Sequence, residues 1–176
     1  RNNEAYLSQH IGELSNTENY DFYLESIGHL KDVLECEPER VVCDLHPDYL
    51  SSRYARRQTN KLIQVQHHHA HALAVMAEHG LDEPVLALIL DGAGYGGDGS
   101  VFGGEIYQVS RESYQRLAHL APLLLPGGDQ AVLEPWRLGL ALAWQSVDEH
   151  NMAAAALPSL AQINPEKRAF IIALLQ

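Results

Sequence analysis

Four of the five residues from His67 to His71 are histidines, and this cluster is the strongest chemical signal in the sequence. The alanine-rich residues that follow favour a helix beginning at His67, which would place His67 and His71 one turn apart on the same face. Two imidazoles with this spacing can bind one zinc or iron ion. A metal normally needs at least three protein ligands, and the spacing alone does not identify the third. His68 and His69 face elsewhere on such a helix, where they could pack, hydrogen-bond or contact a ligand.

A glycine-rich run, residues 91–99, follows a continuous apolar segment of strand length. An apolar strand ending in Asp91-Gly92 would place backbone N–H groups in a tight turn that phosphate oxygens can approach. The acid could then reach a metal or a nucleotide-bound cation such as Mg²⁺. The run is neither a Walker loop nor a Rossmann fingerprint, and a plain glycine-rich hairpin is the less favoured alternative. The candidate binding residues are Asp91, Gly92, Gly94, Gly96, Asp98 and Gly99, with Glu105 further along the chain.

Two further segments carry weaker signals. Arg137 could pair with a phosphate or a carboxylate through its planar guanidinium group, whereas Trp136 beside it is better explained as a core residue. Asp48 and Tyr49 precede an expected helix whose N-terminus could receive an anion, but helix capping explains them equally well.

The elements that must position these residues follow from hydrophobic periodicity and from turn residues. The patterns predict strands at residues 4–11, 40–45, 61–65, 85–90, 101–109 and 114–121. They predict helices at 19–35, from the turn at 46–48 through about 57, at 67–79, beyond Pro135, at 153–157 and from Pro165. The 85–90 strand is apolar throughout, which favours a central position in a sheet. The 61–65 strand delivers the histidine cluster at its carboxyl end, where α/β sheets gather ligand sites.

Composition excludes several classes of protein. Twelve Lys and Arg residues against 23 Asp and Glu residues give a net charge of −11, which repels phosphate backbones and makes nucleic-acid binding an unfavoured function. Two cysteines are too few for a disulfide framework, and no apolar run approaches the roughly 20 residues needed to span a bilayer. We therefore expect a cytoplasmic protein that does not enter membranes. The absence of an initial Met and the helical pattern at the last residues suggest a piece of a longer chain.

Five motifs resemble, in order, those of the HypF carbamoyltransferase family of [NiFe]-hydrogenase maturation, and the resemblance covers essentially the whole chain. The motifs are Val41 to Ser51 (VVCDLHPDYLS), Val65 to His71 (VQHHHAH), Leu90 to Gly99 (LDGAGYGGDG), Gly103-Gly104-Glu105, and Pro126-Gly127-Gly128-Asp129 with Glu134-Pro135-Trp136-Arg137.

This resemblance implies a fold and a reaction. The fold would be α/β, an actin-like ATPase (ASKHA) architecture of the Kae1-like type, with a mixed sheet flanked by helices. Residues 1–176 would be the N-terminal portion of the Kae1-like domain, without its second half and without the acylphosphatase-like and YrdC-like domains that act first. Those upstream domains hydrolyse carbamoyl phosphate and join carbamate to AMP from ATP. The Kae1-like domain then transfers the carbamoyl group from carbamoyl-adenylate to the C-terminal cysteine of HypE, where dehydration gives the precursor of the cyanide ligand.

The resemblance also implies roles for particular residues. His67 and His71 match the metal-binding pair of the family, and Asp91 matches the acid associated with that metal and with the nucleotide. Gly92, Gly94, Gly96 and Gly99 match the loop that contacts phosphates. Because the other domains are absent, this chain alone is not expected to run the full reaction.

Two rival functions stay open from the sequence. The Kae1/TsaD branch shares the paired histidines and transfers a threonylcarbamoyl group to tRNA adenosine, but the residues 95–99, the motif from Glu134 to Arg137 and the net charge argue against it. A non-catalytic metal-binding scaffold domain is the rival from another class.

Overall fold

The computed structural model describes residues 4–58, 61–128, 130–146, 160 and 162–175. The chain forms two compact units, Arg1–Leu120 and Ala121–Gln176. The helices are α1 (Thr17–Val33), α2 (Leu50–Gln58), α3 (His67–Glu78), α4 (Gln130–Leu133), α5 (Trp136–Ser146) and α6 (Pro165–Leu175). The strands are β1 (Val41–Asp44), β2 (Leu62–Val65), β3 (Val85–Ile89), β4 (Gly94–Tyr95), β5 (Val101–Phe102), β6 (Glu105–Val109) and β7 (Tyr114–His119).

Helix α1 begins directly after its N-cap residue, Asn16. The Asn16 side chain accepts hydrogen bonds from the backbone N–H groups of Glu18 and Asn19, at 2.8 Å and 3.3 Å, so α1 starts at Thr17, two residues before the expected position. The strand predicted at residues 4–11 is wrong. This segment is irregular and residues 4–10 are exposed, because an alternating pattern forms a strand only where another strand is available to pair with it.

Strands β1 and β2 pair in parallel, with Val41 opposite Leu62 and Asp44 opposite Val65. Both strands and the helices that follow them, α2 and α3, were predicted correctly. Their parallel pairing brings the carboxyl ends of β1 and β2 side by side, so the residue that ends β1 lies next to the start of α3. That helix ends before Gly80, whose φ of 62° is the left-handed conformation typical of a residue following a helix.

Strand β3 lies at an edge of a three-stranded antiparallel sheet, in the order β3-β6-β7 among the described residues. The prediction of a central strand is therefore wrong. Val85, Ala87 and Ile89 face the core cluster that includes Ala72 and Met76 of α3. The alternate residues of the apolar run are largely exposed; they are Leu86, Leu88 and Leu90. A continuous apolar pattern cannot show whether both faces of a strand are covered.

The glycine-rich run forms a hairpin. A hairpin was the alternative that the sequence favoured less than a phosphate-binding turn. Strands β4 and β5 pair with Gly94 opposite Phe102, and the N–H of Gly96 donates to the Ser100 carbonyl at 2.9 Å. The N–H of Gly104 donates to the Asp91 carbonyl at 3.0 Å, so the chain returns directly beside Asp91. The break at Gly103-Gly104 and the strands on either side of it were predicted.

The second unit is helical, as predicted. Its buried cluster contains Leu140 of α5, Ile171 of α6 and Leu160, which precedes α6. Trp136 packs against this cluster. Pro165 is the first residue of α6, which Asn164 caps. The short helix α4 was not predicted, and the helix predicted at 153–157 lies outside the described residues. No helix in the described parts of the chain has the length and apolar character needed to cross a membrane.

A buried ion pair joins β6 and β7. Glu105 is fully buried, and its two carboxylate oxygens accept hydrogen bonds from Arg116 Nε and Nη2 at 2.6 Å and 2.8 Å. Burial alone would raise the pKa of Glu105, but the hydrogen bonds and charge of Arg116, together with the Gly103 N–H, outweigh it and hold that pKa below its ordinary value.

We expect Arg116→Met to lower the free energy of unfolding by about 3–5 kcal/mol near pH 7, because it leaves the Glu105 carboxylate buried without a partner. The pair stabilises the fold fully above the ordinary glutamate pKa of about 4.3, and this contribution is lost as the pH falls through the lowered pKa of folded Glu105. The difference in the free energy of unfolding between the unsubstituted chain and Arg116→Met should therefore narrow toward pH 3. Urea titrations followed by circular dichroism measure it.

Arg111→Met is the matched control, since Arg111 pairs with Asp82 on the surface and such pairs contribute at most about 1 kcal/mol. Equal losses of unfolding free energy in Arg116→Met and Arg111→Met would contradict the prediction that the buried pair stabilises the fold more than a surface pair does.

Candidate metal centre

Three side chains from two elements converge at the carboxyl end of β3. His67 and His71 lie on one face of α3, and Asp91 follows β3 after one residue. The Asp91 Oδ2 atom lies 2.9 Å from His67 Nε2 and 3.5 Å from His71 Nε2, and the two Nε2 atoms are 3.3 Å apart. The helical spacing predicted that His67 and His71 would meet, and the structure adds a carboxylate oxygen to them.

The separations suit a metal ion. Nitrogen and oxygen ligands about 2.0–2.1 Å from a tetrahedral zinc ion lie roughly 3.3–3.4 Å from one another. The three potential ligand atoms all lie within 4.8 Å of one another, and small side-chain rotations would equalise their distances. Two imidazoles and one carboxylate suit zinc, iron and several other divalent metals. His71 is more than half exposed and His67 is partly exposed, so an ion can reach the cluster from solvent.

A second carboxylate orients the first histidine. His67 Nδ1 lies 2.8 Å from Asp44 Oδ2, while the other oxygen of Asp44 accepts the backbone N–H of His46 at 2.7 Å. A carboxylate on the far nitrogen of a ligand histidine fixes the proton at that nitrogen and turns the opposite nitrogen toward the metal. Asp44 ends β1 and His67 begins α3, so the parallel pairing of β1 and β2 creates this contact.

His68 is buried beside the cluster. Its side chain is fully inaccessible, and its Nε2 atom has no hydrogen-bond partner among the described residues. Burial lowers the pKa of His68, although the charges of Asp91 and Glu105 oppose the shift. The ring packs against Gly94, where a Cβ atom would lie 2.6 Å from His68 Cε1. Glycine is therefore required at position 94 for packing against this histidine.

The other candidate residues have local structural partners. His69 is buried, with its Nε2 3.4 Å from the Ser110 carbonyl and its ring against Tyr114. Asp98 is exposed and accepts hydrogen bonds from the side chain and backbone of Ser100, which hold its pKa below the ordinary value. Glu105 is engaged by Arg116, as described above.

The glycines of the hairpin divide into two groups. At Gly96 a Cβ atom would lie 2.4 Å from the Phe102 ring, so this glycine, like Gly94, permits close packing. Gly97 and Gly99 adopt left-handed φ angles of 80° and 89° and form the exposed tip of the hairpin. Gly92 has open space where a side chain would be, and its N–H donates to Asp91 Oδ1 at 2.8 Å. The structure thus gives packing or turn reasons for several of the glycines.

In the second unit, Arg137 donates to Glu134 Oε2 from Nε at 2.7 Å and lies over the Trp136 ring. The sequence suggested a phosphate or a carboxylate as the partner of Arg137. Glu134, three residues earlier in the same chain, supplies that carboxylate. Trp136 packs against the buried cluster, as predicted. Asp129 lies outside the described residues.

Models of two protein families match the chain. The HypF Kae1-like domain matches residues 1–78, and the second subdomain of the carbamoyltransferase Kae1-like domain matches residues 87–175. The chain belongs to the HypF carbamoyltransferase family. The resemblance expected from the motifs is thereby confirmed, and the fold is a Kae1-like domain of mixed α/β structure.

Several relatives and solved structures are similar over most of the chain. Carbamoyltransferase HypF of Synechocystis is 47% identical over 82% of this chain and 19% of its own length, and that of Rhizobium leguminosarum is 47% identical over 90% and 21%. A full-length HypF crystallised in a phosphate- and nucleotide-bound form has a TM-score of 0.81 and 36% identity, over 94% of this chain and 21% of its own. HypF of T. kodakarensis has a TM-score of 0.81 and 34% identity, over 97% and 24%. The chain spans about a fifth of the length of the curated HypF relatives it matches.

Sequence reasoning missed two contributors to the site. Asp44 is the last residue of a strand parallel to the one that delivers the histidines, and an acid at that position could have been recognised as a neighbour of the cluster. Gln66 is the N-cap of α3, with its Oε1 accepting the N–H of His69 at 2.9 Å. Its second contact, to His68, has no signature in the sequence.

We expect the purified chain to bind one Zn²⁺ ion at this cluster. At a free zinc concentration 100 times Kd, zinc should raise the free energy of unfolding by about 2.7 kcal/mol, and a chelator should reverse the effect. His71→Ala should weaken zinc binding by more than the roughly 10- to 100-fold typical of losing an outer contact, as measured by calorimetric titration.

His79→Ala is the control, since His79 caps the same helix at its other end and is exposed. Equal zinc affinity in the His71→Ala variant and the unsubstituted chain would exclude this cluster as the binding site.

Proposed function

We propose that this chain forms the acceptor-transfer part of a HypF-type carbamoyltransferase. It would bind carbamoyl-adenylate, made from carbamoyl phosphate and ATP, and pass the carbamoyl group to the C-terminal cysteine of HypE. Membership of the HypF family supports carbamoyl transfer in hydrogenase maturation in general. The observation that supports this site is the convergence of His67, His71 and Asp91 beside the hairpin that follows Asp91.

The cluster and the hairpin would bind different parts of the adenylate. A divalent metal held by His67, His71 and Asp91 would neutralise phosphate charge when bound. The exposed N–H groups at the hairpin tip, around Gly97 and Gly99, would receive phosphate oxygens without obstruction by side chains. The phosphate- and nucleotide-bound form of a full-length HypF makes a nucleotide the appropriate ligand class, with Mg²⁺ as its accompanying cation.

The groups of this chain would act by holding and orienting. Asp44 would keep the proton of His67 on Nδ1, and Asp91 would place its Oδ2 atom between the two histidines. The attacking thiolate would come from the partner protein. Its sulfur forms a bond to the carbamoyl carbon, the bond from that carbon to the phosphate oxygen breaks, and AMP leaves with the electron pair. The cysteine proton is released before the attack.

The net charge of −11 is consistent with a protein acceptor and unfavourable for a tRNA acceptor. Arg53 illustrates the same point, since its basic side chain is already engaged by the neighbouring acid Asp48 at 2.9 Å. A protein of the HypE type is therefore the proposed partner.

The test uses a polypeptide of the length of the curated relatives, with ¹⁴C-carbamoyl phosphate, ATP and HypE. We expect His71→Ala to reduce transfer of label to HypE by roughly 100-fold or more, while formation of the adenylate, followed by pyrophosphate release, continues. His79→Ala should transfer at the unsubstituted rate.

Transfer at the native rate by the His71→Ala variant would favour the non-catalytic scaffold interpretation. Tight, salt-sensitive binding of tRNA in a separate titration at moderate salt would favour the threonylcarbamoyl branch.

A further inference from the structure

Two consecutive histidines receive opposite hydrogen-bond partners at the same ring position. His67 Nδ1 faces Asp44 Oδ2 at 2.8 Å, and a carboxylate can only accept. His68 Nδ1 faces the side-chain amide of Gln66 at 3.1 Å. Because an amide carries both an acceptor and a donor, the orientation of Gln66 decides which nitrogen of His68 holds the proton.

Two backbone contacts fix the orientation of Gln66. The N–H of His69 donates to Gln66 Oε1 at 2.9 Å, and the Gln66 amino group donates to the Tyr95 carbonyl at 3.4 Å. The amino group must therefore face His68 Nδ1, and it can only donate to it. A neutral His68 that accepts at Nδ1 carries its proton on Nε2.

That proton has no acceptor within hydrogen-bond distance. His68 Nε2 is buried and has no partner among the described residues, and the carboxylate oxygen Asp91 Oδ2 lies 3.9 Å away. Gly94 contacts the ring directly and Tyr107 lies edge-on to it at 6.3 Å, so the ring cannot easily turn elsewhere. A buried N–H group without a partner is unfavourable, and a shift of about 1 Å by the Asp91 carboxylate would satisfy it.

We propose that His68 is a positioning residue for Asp91. It donates its Nε2–H to the Asp91 carboxylate when the cluster holds a divalent metal, and Gln66 holds it in the required tautomer. Consecutive histidines thereby have different roles: His67 offers a lone pair to the metal, while His68 offers a proton to the carboxylate that binds the same metal. Carboxylates that bind metals are commonly fixed by such a hydrogen bond.

The Gln66→Glu substitution tests the tautomer of His68 without removing the His68 ring from its packed position. The glutamate oxygen still accepts the N–H of His69, but the atom facing His68 Nδ1 becomes an acceptor. A neutral His68 then holds its proton on Nδ1, and its Nε2 lone pair faces the carboxylate of Asp91. Gln64→Glu adds the same charge two residues earlier, at an exposed position on β2, and is the matched control.

The first measurement is the long-range ¹H–¹⁵N correlation spectrum of the histidine rings in the full chain without metal. We expect the Nε2–H tautomer for His68, a change to Nδ1–H in Gln66→Glu, and no change in Gln64→Glu. A His68 with its proton on Nδ1 in the unsubstituted chain would overturn the proposal. This spectrum requires neither bound metal nor substrate, so its result is independent of carbamoyl transfer, although the role assigned to Asp91 rests on the proposed metal centre.

The second measurement is the affinity for Zn²⁺ alone. Gln66→Glu and His68→Phe should each weaken zinc binding by roughly 10- to 100-fold, while His68→Gln should stay within about threefold because its amide can donate from nearly the same place. Unchanged affinity in Gln66→Glu would refute the proposal. That variant keeps the His68 ring in place, so it remains decisive even if His68→Phe does not fold.

Discussion

The parallel pairing of β1 with β2 is the constraint on which the site depends. It places the last residue of β1, Asp44, beside the first turn of α3, so that the Asp44 carboxylate contacts His67 at 2.8 Å. With His67 held on that side, its Nε2 atom faces Asp91 at 2.9 Å and His71 at 3.3 Å. One ring is therefore held between the acid that ends β1 and the acid that follows β3, and the strand pairing orients the histidine that α3 supplies.

The histidine pair could be predicted because its spacing is local. His67 and His71 are four residues apart on a helix, and helical geometry alone brings them together. Asp91 is separated from them by the rest of α3 and by β3, so residue chemistry marked it as a possible ligand of some cation but did not assign it to the histidines, and the family motifs made that link. Most helices and strands were predicted for the same local reason. The errors fall at residues 4–11 and at β3, where the outcome depends on a pairing strand or on what covers a face.

The glycine-rich run shows that a motif can meet several requirements at once. A glycine-rich loop suggests phosphate contact, yet Gly94 and Gly96 are also needed because His68 and Phe102 lie where their side chains would be. Gly97 and Gly99 are needed for the turn. Phosphate binding by the exposed tip is compatible with these requirements. The hairpin also returns Gly104 to the Asp91 carbonyl, so it holds the backbone of the acid in place.

The central claim is that His67, His71 and Asp91 together bind a divalent metal, and zinc K-edge X-ray absorption of the zinc-loaded chain tests it most directly. The account predicts nitrogen and oxygen ligands only, at about 2.0–2.1 Å, with the multiple-scattering signal of two imidazoles. A sulfur shell at about 2.3 Å, which the free thiols Cys36 and Cys43 could supply, or a spectrum with no imidazole signal, would contradict it.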